Sequence, residues 1–334
     1  MSERVKILIT GATGFVGRAI IEALVKSDKY EIYGLKGKSF TTDFGESKNI
    51  KQIIGCNISE YDTLKDVEKI GQIDFVVHCA GLAHQFGEVP DEDFYRVNVQ
   101  GTENICQLAA KLGAKQLIHL SSVAVYGDYG QREVDEKFEC RPVGIYAESK
   151  LAAEKAAKEI CENKNIDLTI LRLATVIGEN DRVNTARLIT SIDGGNFVWI
   201  GNGRNFKSLI YKKDVARAIL RVLNDSKSNL TEIYNVCGGK VSMKTVVETI
   251  FDCLCKKKSR LKIPESLFLN VFGLNKQTFN IRILSKYEKV VEKWLSDDIF
   301  SGAEFNENFD FQIETTVTEA IGLQVGNYLK LKSK

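Results

Sequence analysis

The sequence predicts an α/β fold: a doubly wound parallel sheet with a smaller, mixed α/β C-terminal lobe for the substrate. An apolar run near the N-terminus leads through a glycine-rich turn into an amphipathic helix. Short β-branched strands then alternate with helical stretches as far as about Val176, which is how a parallel sheet is built. Beyond Val176 the alternation loosens into polar, Gly-bearing segments with isolated strands. The sheet expected from this order is Rossmann-like, over residues 1–178 with returns near 206–237, and the second lobe takes residues 179–205 and 238–330.

The opening stretch fixes a ligand geometry. Val5, Ile7, Leu8 and Ile9 read as a buried strand, and Phe15 to Val25 has the spacing of an amphipathic helix. Between them Gly11, Gly14 and Gly17 make GxxGxxG. The first glycine permits the tight turn, the second lets backbone approach a pyrophosphate, and the third lets helix pack closely on strand. Thr13, Phe15 and Val16 share that turn, and the helix N-terminus directs its N–H groups and positive dipole end at the phosphates. Dinucleotide binding follows.

Totals bound the remaining possibilities. At 334 residues the chain holds about two lobes of roughly 150 residues. Lys plus Arg is 46 against Asp plus Glu 44, a net charge of +2, so bulk charge implies no nucleic-acid partner. The eight cysteines are scattered without a CxxC pair or zinc spacing, as expected of reduced thiols and no metal. With a strand beginning at Val5 and no run of about 18 apolar residues, neither a signal peptide nor a membrane span is expected, and the chain is expected in the cytoplasm.

Taken in order, Glu31 to Leu35 is a second strand, at whose end an acidic residue would take the adenosine ribose of NAD. Lys36 and Lys38 stand there instead, a charge that suits the 2′-phosphate of NADPH or belongs to two solvated loop lysines. Gln52 to Cys56 is a third strand, with Asn57 and Ile58 placed to meet adenine. Asp74 to Cys79 is a fourth, running into Ala80-Gly81, small enough for backbone to pass close to a cofactor, with Leu82 next on the same wall. His78 reads as a packed strand residue, and His84 as a loop histidine within reach of substrate. Asp91 to Leu112 is a long helix in which Asn98, poor by helix propensity, implies a hydrogen-bonding role. Gln116 to Ser121 is the fifth strand, followed by the helix over Val143 to Cys161. Within that helix Tyr146 and Lys150 stand at i, i+4 on one face. A cation there favours the phenolate, which would pull the tyrosine below its usual value of about 10.

Asp167 to Val176 reads as a sixth strand, Thr185 to Ser191 as a helix, Phe206 to Tyr211 as a strand, Asp214 as the N-cap of a helix through Leu223, and Ile233 to Cys237 as a strand again. Lys256 to Lys258 with Arg260 is a short basic cluster in a solvated turn. Leu267 to Leu274 is the most apolar part of the tail, read as core or lobe packing.

With those motifs in view the chain resembles the extended short-chain dehydrogenase/reductase family, in its nucleotide-sugar epimerase and reductase branch. The likeness covers Val5 to about Cys237 and rests on TGATGFVG (10–17), HCAG (78–81), VNVQGTENI (97–105), SSVAVYG (121–127) and YAESK (146–150). It implies Tyr146 as acid/base for a sugar hydroxyl, Lys150 as the ligand of the nicotinamide ribose, and Ser122 as a hydrogen-bond partner of the same sugar oxygen. It also implies a cofactor wall that includes Asn98, Lys207 as a contact to the nucleotide diphosphate, Arg204 and Arg282 as further candidates for that charge, and Thr175 as a substrate contact. Family dehydratases carry Thr-Asp-Glu where this chain has Ser122-Val123-Ala124, which argues against water elimination.

Two readings remain at C4 of a UDP-hexose or UDP-N-acetylhexosamine: reduction of a 4-keto(-6-deoxy) sugar by NADPH, or 4-epimerisation with held NAD. Lys36, the AGLAH stretch and ATVIGENDRVNTARLITSIDGG are similar to 4-keto-6-deoxy-hexosamine reductases and related surface-polysaccharide enzymes, and favour reduction. A non-catalytic NAD(P)-binding sensor is a third reading, at odds with the retained Ser122, Tyr146 and Lys150. The resemblance further implies a homodimer through the two long helices.

Overall fold

The protein is seen in a computed structural model that describes residues 4–37, 44, 47–83, 89–130, 132–225, 231–258, 262–266 and 291–333. Its first five strands are β1 (Val5–Thr10), β2 (Tyr30–Lys36), β3 (Ile50–Gly55), β4 (Phe75–His78) and β5 (Gln116–Ser122). With Asp167–Leu173 and Thr231–Val236 they form one seven-stranded sheet. Its order is Thr231–Val236, Asp167–Leu173, β5, β4, β1, β2, β3, and every neighbouring pair is parallel. The chain winds outward from β1 to β3, then returns to the other side of β1 at β4. That reversal opens a crevice beyond the carboxyl ends of β1 and β4, the place where a doubly wound sheet takes its ligand.

Both faces of the sheet are covered, which is why its strands are apolar rather than alternating. Ile7, Ile9, Val77 and Ile118 belong to one core cluster, while Leu8, Val76 and Leu117 belong to the cluster on the opposite face. The helix Phe15–Leu24 buries Gly17, Ala19, Ile20, Ile21 and Leu24, a single stripe of helical period. It packs against the helix Lys212–Asn224.

Smaller sheets carry the rest. Thr175–Ile177 runs parallel to Phe206–Tyr211, which pairs antiparallel with Lys240–Ser242. Trp199, Leu209, Phe251 and Ile321 belong to a third core, formed around this sheet and the helices Asn184–Asp193, Met243–Cys253 and Val317–Lys332. Among the described residues no helix is long and apolar enough to cross a membrane.

Several expected elements are redrawn. The single strand expected over Asp167 to Val176 breaks at Ala174, sending Asp167–Leu173 to the large sheet and Thr175–Ile177 to the small one. Phe206–Tyr211 likewise joins the small sheet, so the strand that returns to the large one is Thr231–Val236. Asp214 does not cap its helix. Tyr211 holds the N-cap position, and the Asp214 carboxylate in the first turn accepts the backbone N–H groups of Glu314 and Thr315 and pairs with Arg217. The basic cluster finds partners in Lys256 with Asp193 and Lys258 with Glu248 and Asp252, while Arg260 and Leu267 to Leu274 lie outside the described residues.

The opening turn tolerates no side chain on its third glycine. A Cβ at Gly17 would stand 2.2 Å from the Gly11 carbonyl oxygen, and one at Gly11, where φ is +64°, would stand 2.9 Å from the Ala80 nitrogen. Gly17→Ala is therefore expected to lower stability by about 1–3 kcal/mol. It would show as a lower urea midpoint with the denaturant slope unchanged.

Candidate active site

The carboxyl end of β1 is tied to that of β4 by an ordered relay of protons. The Ala80 N–H donates to the Thr10 hydroxyl at 3.0 Å, and that hydroxyl lies 2.7 Å from His78 Nδ1. On the other side His78 Nε2 lies 3.0 Å from the Thr102 hydroxyl, which donates to the Asn98 carbonyl at 2.5 Å. Each hydroxyl has one proton to give, so Thr10 donates to Nδ1 and His78 is a neutral imidazole donating from Nε2. Burial with the charge of Lys150 nearby agrees, holding the His78 pKa at about 3. His78 is thus the packed strand residue that its position implies.

Asn98 is the next fastening. The helix expected over Asp91 to Leu112 is interrupted at Arg96–Gln100 by a π-helical turn, between Asp91–Tyr95 and Gly101–Lys111. Such turns spread the backbone and re-aim a side chain. Asn98 accepts the Leu82 N–H at 2.6 Å, donates to the Leu82 carbonyl at 3.0 Å, and donates to the Ser149 hydroxyl at 2.9 Å. One amide therefore holds Ala80-Gly81-Leu82 against the helix Ile145–Lys164. A Cβ on Gly81 would meet Asn98 Oδ1 at 3.1 Å and Lys150 Nζ at 4.0 Å, so this wall is bare backbone for a steric reason.

Two residues of the helix Ile145–Lys164 meet the end of β5. Tyr146 lies in its first turn and hydrogen-bonds Ser122, the last residue of β5. The Ser122 hydroxyl also accepts the Ala124 N–H at 3.2 Å, which fixes its rotamer. Lys150 is buried, and its ammonium donates to the Leu120 carbonyl at 2.7 Å. Burial brings its pKa down to about 8, with Glu154 opposing the shift. The expectation for Tyr146 needs correction: burial pushes its phenol above the ordinary value, and the hydrogen bond from Ser122 offsets only part of that. Lys150 spends its ammonium on a backbone carbonyl, so the desolvation of the phenol outweighs the cation.

Other expected site residues fall as follows. Gly11, Gly14 and Gly17, with Thr13, Phe15 and Val16, form the turn and the first helical residues after β1. A Cβ on Gly14 would stand 3.0 Å from the Gly11 carbonyl oxygen, leaving bare backbone that fits a pyrophosphate. Lys36 closes β2 at the same end of the sheet. Asn57 organises the turn after β3, accepting from Ser59 and donating to Glu60, and Ile58 packs beneath Gly101. Thr175 is exposed at the start of its short strand, and Arg204 is exposed just before Phe206–Tyr211. Lys207, expected at the nucleotide diphosphate, has a buried ammonium that donates to the Lys293 carbonyl and pairs with Asp298 at 2.6 Å, so its charge is matched within the chain. His84 and Arg282 lie outside the described residues.

Sequence reading missed Ser121, Ser149, Glu154 and Arg172. Their signal was polarity in the wrong place: a glutamate on the alanine stripe LAAEKAAKEI and an arginine inside the apolar strand DLTILRL. Arg172 forks onto Glu154 at 2.7 and 3.0 Å, and Ser121 donates to the same carboxylate at 2.5 Å.

The sequence profile of the NAD dependent epimerase/dehydratase family matches residues 7–237. The chain belongs to this family. A curated relative from Escherichia coli O157:H7, N-acetyl-alpha-D-glucosaminyl-diphospho-ditrans,octacis-undecaprenol 4-epimerase, is 29% identical over 78% of this chain and 76% of its own length. The dTDP-D-glucose 4,6-dehydratase of Mus musculus is 30% identical over 69% of this chain and 67% of its own. Among solved structures, UDP-glucuronic acid 4-epimerase from Bacillus cereus in complex with NAD superposes with a TM-score of 0.78 at 20% identity, covering 98% of this chain and 99% of that one. The fold is shared throughout with that enzyme.

A raised phenol has a direct signature. In the cofactor-free protein the difference in absorbance near 295 nm between the wild type and Tyr146→Phe should stay flat up to about pH 10 and rise only beyond it. A phenolate signal near neutrality would restore the cation-stabilised tyrosine expected from spacing alone.

Proposed function

We propose that this chain is an NAD(P)-dependent oxidoreductase acting at C4 of a nucleotide-diphosphate hexose or N-acetylhexosamine, and that its reaction is reduction of a 4-keto(-6-deoxy) sugar. The observation that carries this reading is Tyr146, kept as a neutral phenol against Ser122, on the helix that faces the Gly81 wall. Reduction of a ketone consumes one proton at oxygen, and a protonated phenol is the form that can give it.

The glycine-bare turn and the Ala80-Gly81-Leu82 wall fit a dinucleotide, which when bound supplies the hydride. Tyr146 delivers its proton to the carbonyl oxygen as that oxygen gains charge, and Ser122 donates to the same oxygen and orients it. Lys150, standing 4.0 Å from where a Gly81 Cβ would be, is placed to hold the ribose end of the cofactor and to favour the tyrosinate left behind. Lys36 at the end of β2 supplies positive charge where a 2′-phosphate would lie, which supports NADPH as the reductant. Ser122-Val123-Ala124 lacks the acid and base pair that elimination of water needs.

A second reading, 4-epimerisation with retained NAD, is supported by the names of the Escherichia coli relative and the Bacillus cereus structure. It uses the same three residues, with the phenol alternately accepting and donating its proton. Stoichiometry separates the two. The reductase should consume one NADPH per UDP-4-keto-6-deoxy-N-acetylhexosamine, followed near 340 nm. An epimerase would interconvert UDP-GlcNAc and UDP-GalNAc with no added reductant, and neither activity would leave a cofactor-binding protein.

Tyr146→Phe should lower kcat by about 10³-fold or more while cofactor affinity changes by less than about 3-fold. Retained turnover would remove Tyr146 from the role of proton donor. Lys36→Asp should shift the preference in kcat/KM from NADPH toward NADH, and an unchanged preference would return Lys36 to the solvated loop.

A further inference from the structure

Between Tyr146 and Lys150 the helix Ile145–Lys164 buries a further polar side chain, Ser149. Its hydroxyl donates to the Tyr146 carbonyl at 2.8 Å and accepts from Asn98 Nδ2 at 2.9 Å. Leu82 decides the direction of these bonds. Its N–H can only donate and its carbonyl can only accept, so the Asn98 amide turns Oδ1 to the first, at 2.6 Å, and Nδ2 to the second, at 3.0 Å. The other proton on Nδ2 is the one that reaches Ser149, and the single hydroxyl proton of Ser149 is left for the Tyr146 carbonyl. The π-helical turn Arg96–Gln100 is what aims Asn98 between the two.

We propose that Ser149 is a positioning residue that sets the separation between the backbone wall at Gly81-Leu82 and the phenol of Tyr146, an inference that rests on the proposed meeting of Tyr146 with the nicotinamide. The wall follows β4 and the phenol belongs to the helix, and they are joined by direct hydrogen bonds through Asn98 and Ser149, side chains of residues that are 2% and 0% exposed. Tyr146 is thereby held at both ends. Ser122 ties its phenol to β5, and Ser149 ties its main chain to the wall. A hydride and a proton reach one carbonyl group only when wall and phenol keep a fixed spacing, and a misplacement of about 1 Å can cost about 10²-fold in rate. Removing the hydroxyl cuts this chain at one link. Lys150 keeps its bond to the Leu120 carbonyl, Asn98 keeps both bonds to Leu82, and alanine forms helix better than serine does.

The test uses cofactor and no turnover. An oxidised nicotinamide ring is a cation, and a cation within about 4–6 Å of an acidic group lowers its pKa by about 1–3 pH units. The phenol is titrated in the full chain by the absorbance difference at about 295 nm between each protein and the same protein carrying Tyr146→Phe, without cofactor, with saturating NADP+ and with saturating NAD+. In the wild type the bound dinucleotide should bring the rise down by about 1–3 pH units. In Ser149→Ala that movement should be less than about half as large, with dinucleotide affinity within about 3-fold of the wild type. Ser149→Thr, which keeps the hydroxyl, should recover most of the movement.

Should the alanine variant not fold, Ser149→Cys takes its place. Cysteine is close to serine in shape and is a weaker donor and acceptor, so its movement should lie below that of the wild type. A folded variant without the hydroxyl that shows the full wild-type movement, even at a lower thermal midpoint, would make Ser149 a support of the helix only. That result would overturn this inference while leaving the proposed function standing. A wild type that binds neither dinucleotide, or binds one with no movement of the phenol, would overturn both.

Discussion

The docking of one helix onto one strand governs the site. Along the helix residues four apart return to one face. Tyr146, Lys150 and Glu154 share that face, and the end of β5 meets them with Ser122, the Leu120 carbonyl and Ser121. A slip of one helical residue would turn a lysine and a glutamate into the apolar core without partners. Ala153 and Ala157, fully buried on the same stripe, allow the helix to lie close enough for those short contacts.

Electrostatics at the site follow from dryness. Lys150 and His119 are buried together, and each group answers by moving toward its neutral form. The Glu154 and Arg172 pair is the exception, because a forked, hydrogen-bonded ion pair recovers much of what desolvation costs. Charge in this region is thus confined to a few fixed places.

The crevice is made by backbone rather than by side chains. Gly11 reaches Ala80, Gly17 reaches the Gly11 carbonyl, and Gly81 reaches Asn98 and Lys150. These close approaches join the carboxyl ends of β1 and β4, where the winding direction of the sheet reverses. The His78 relay between Thr10 and Thr102 stiffens the same junction.

Much of this was legible in the residues themselves. The glycine spacing at 11, 14 and 17 has few backbone solutions, the apolar runs from Val5, Asp74 and Gln116 can be buried only in a covered sheet, and an asparagine inside a helix demands a partner. All of these are local, and local sterics and periodicity decide them. The break at Ala174 was not legible, since nothing in DLTILRLATV distinguishes a strand that changes sheets from one that continues. Nor was the inward turn of Lys207, which depends on Asp298, or the acidity of Tyr146, which depends on how thoroughly water is removed around it. The sequence by itself determined which chemical groups this protein possesses and the turn that first gathers them, because those are matters of composition and short-range geometry. Tertiary structure alone decided which of the charged groups face a ligand and which face each other, because desolvation and pairing across distant segments exist only once the chain has packed.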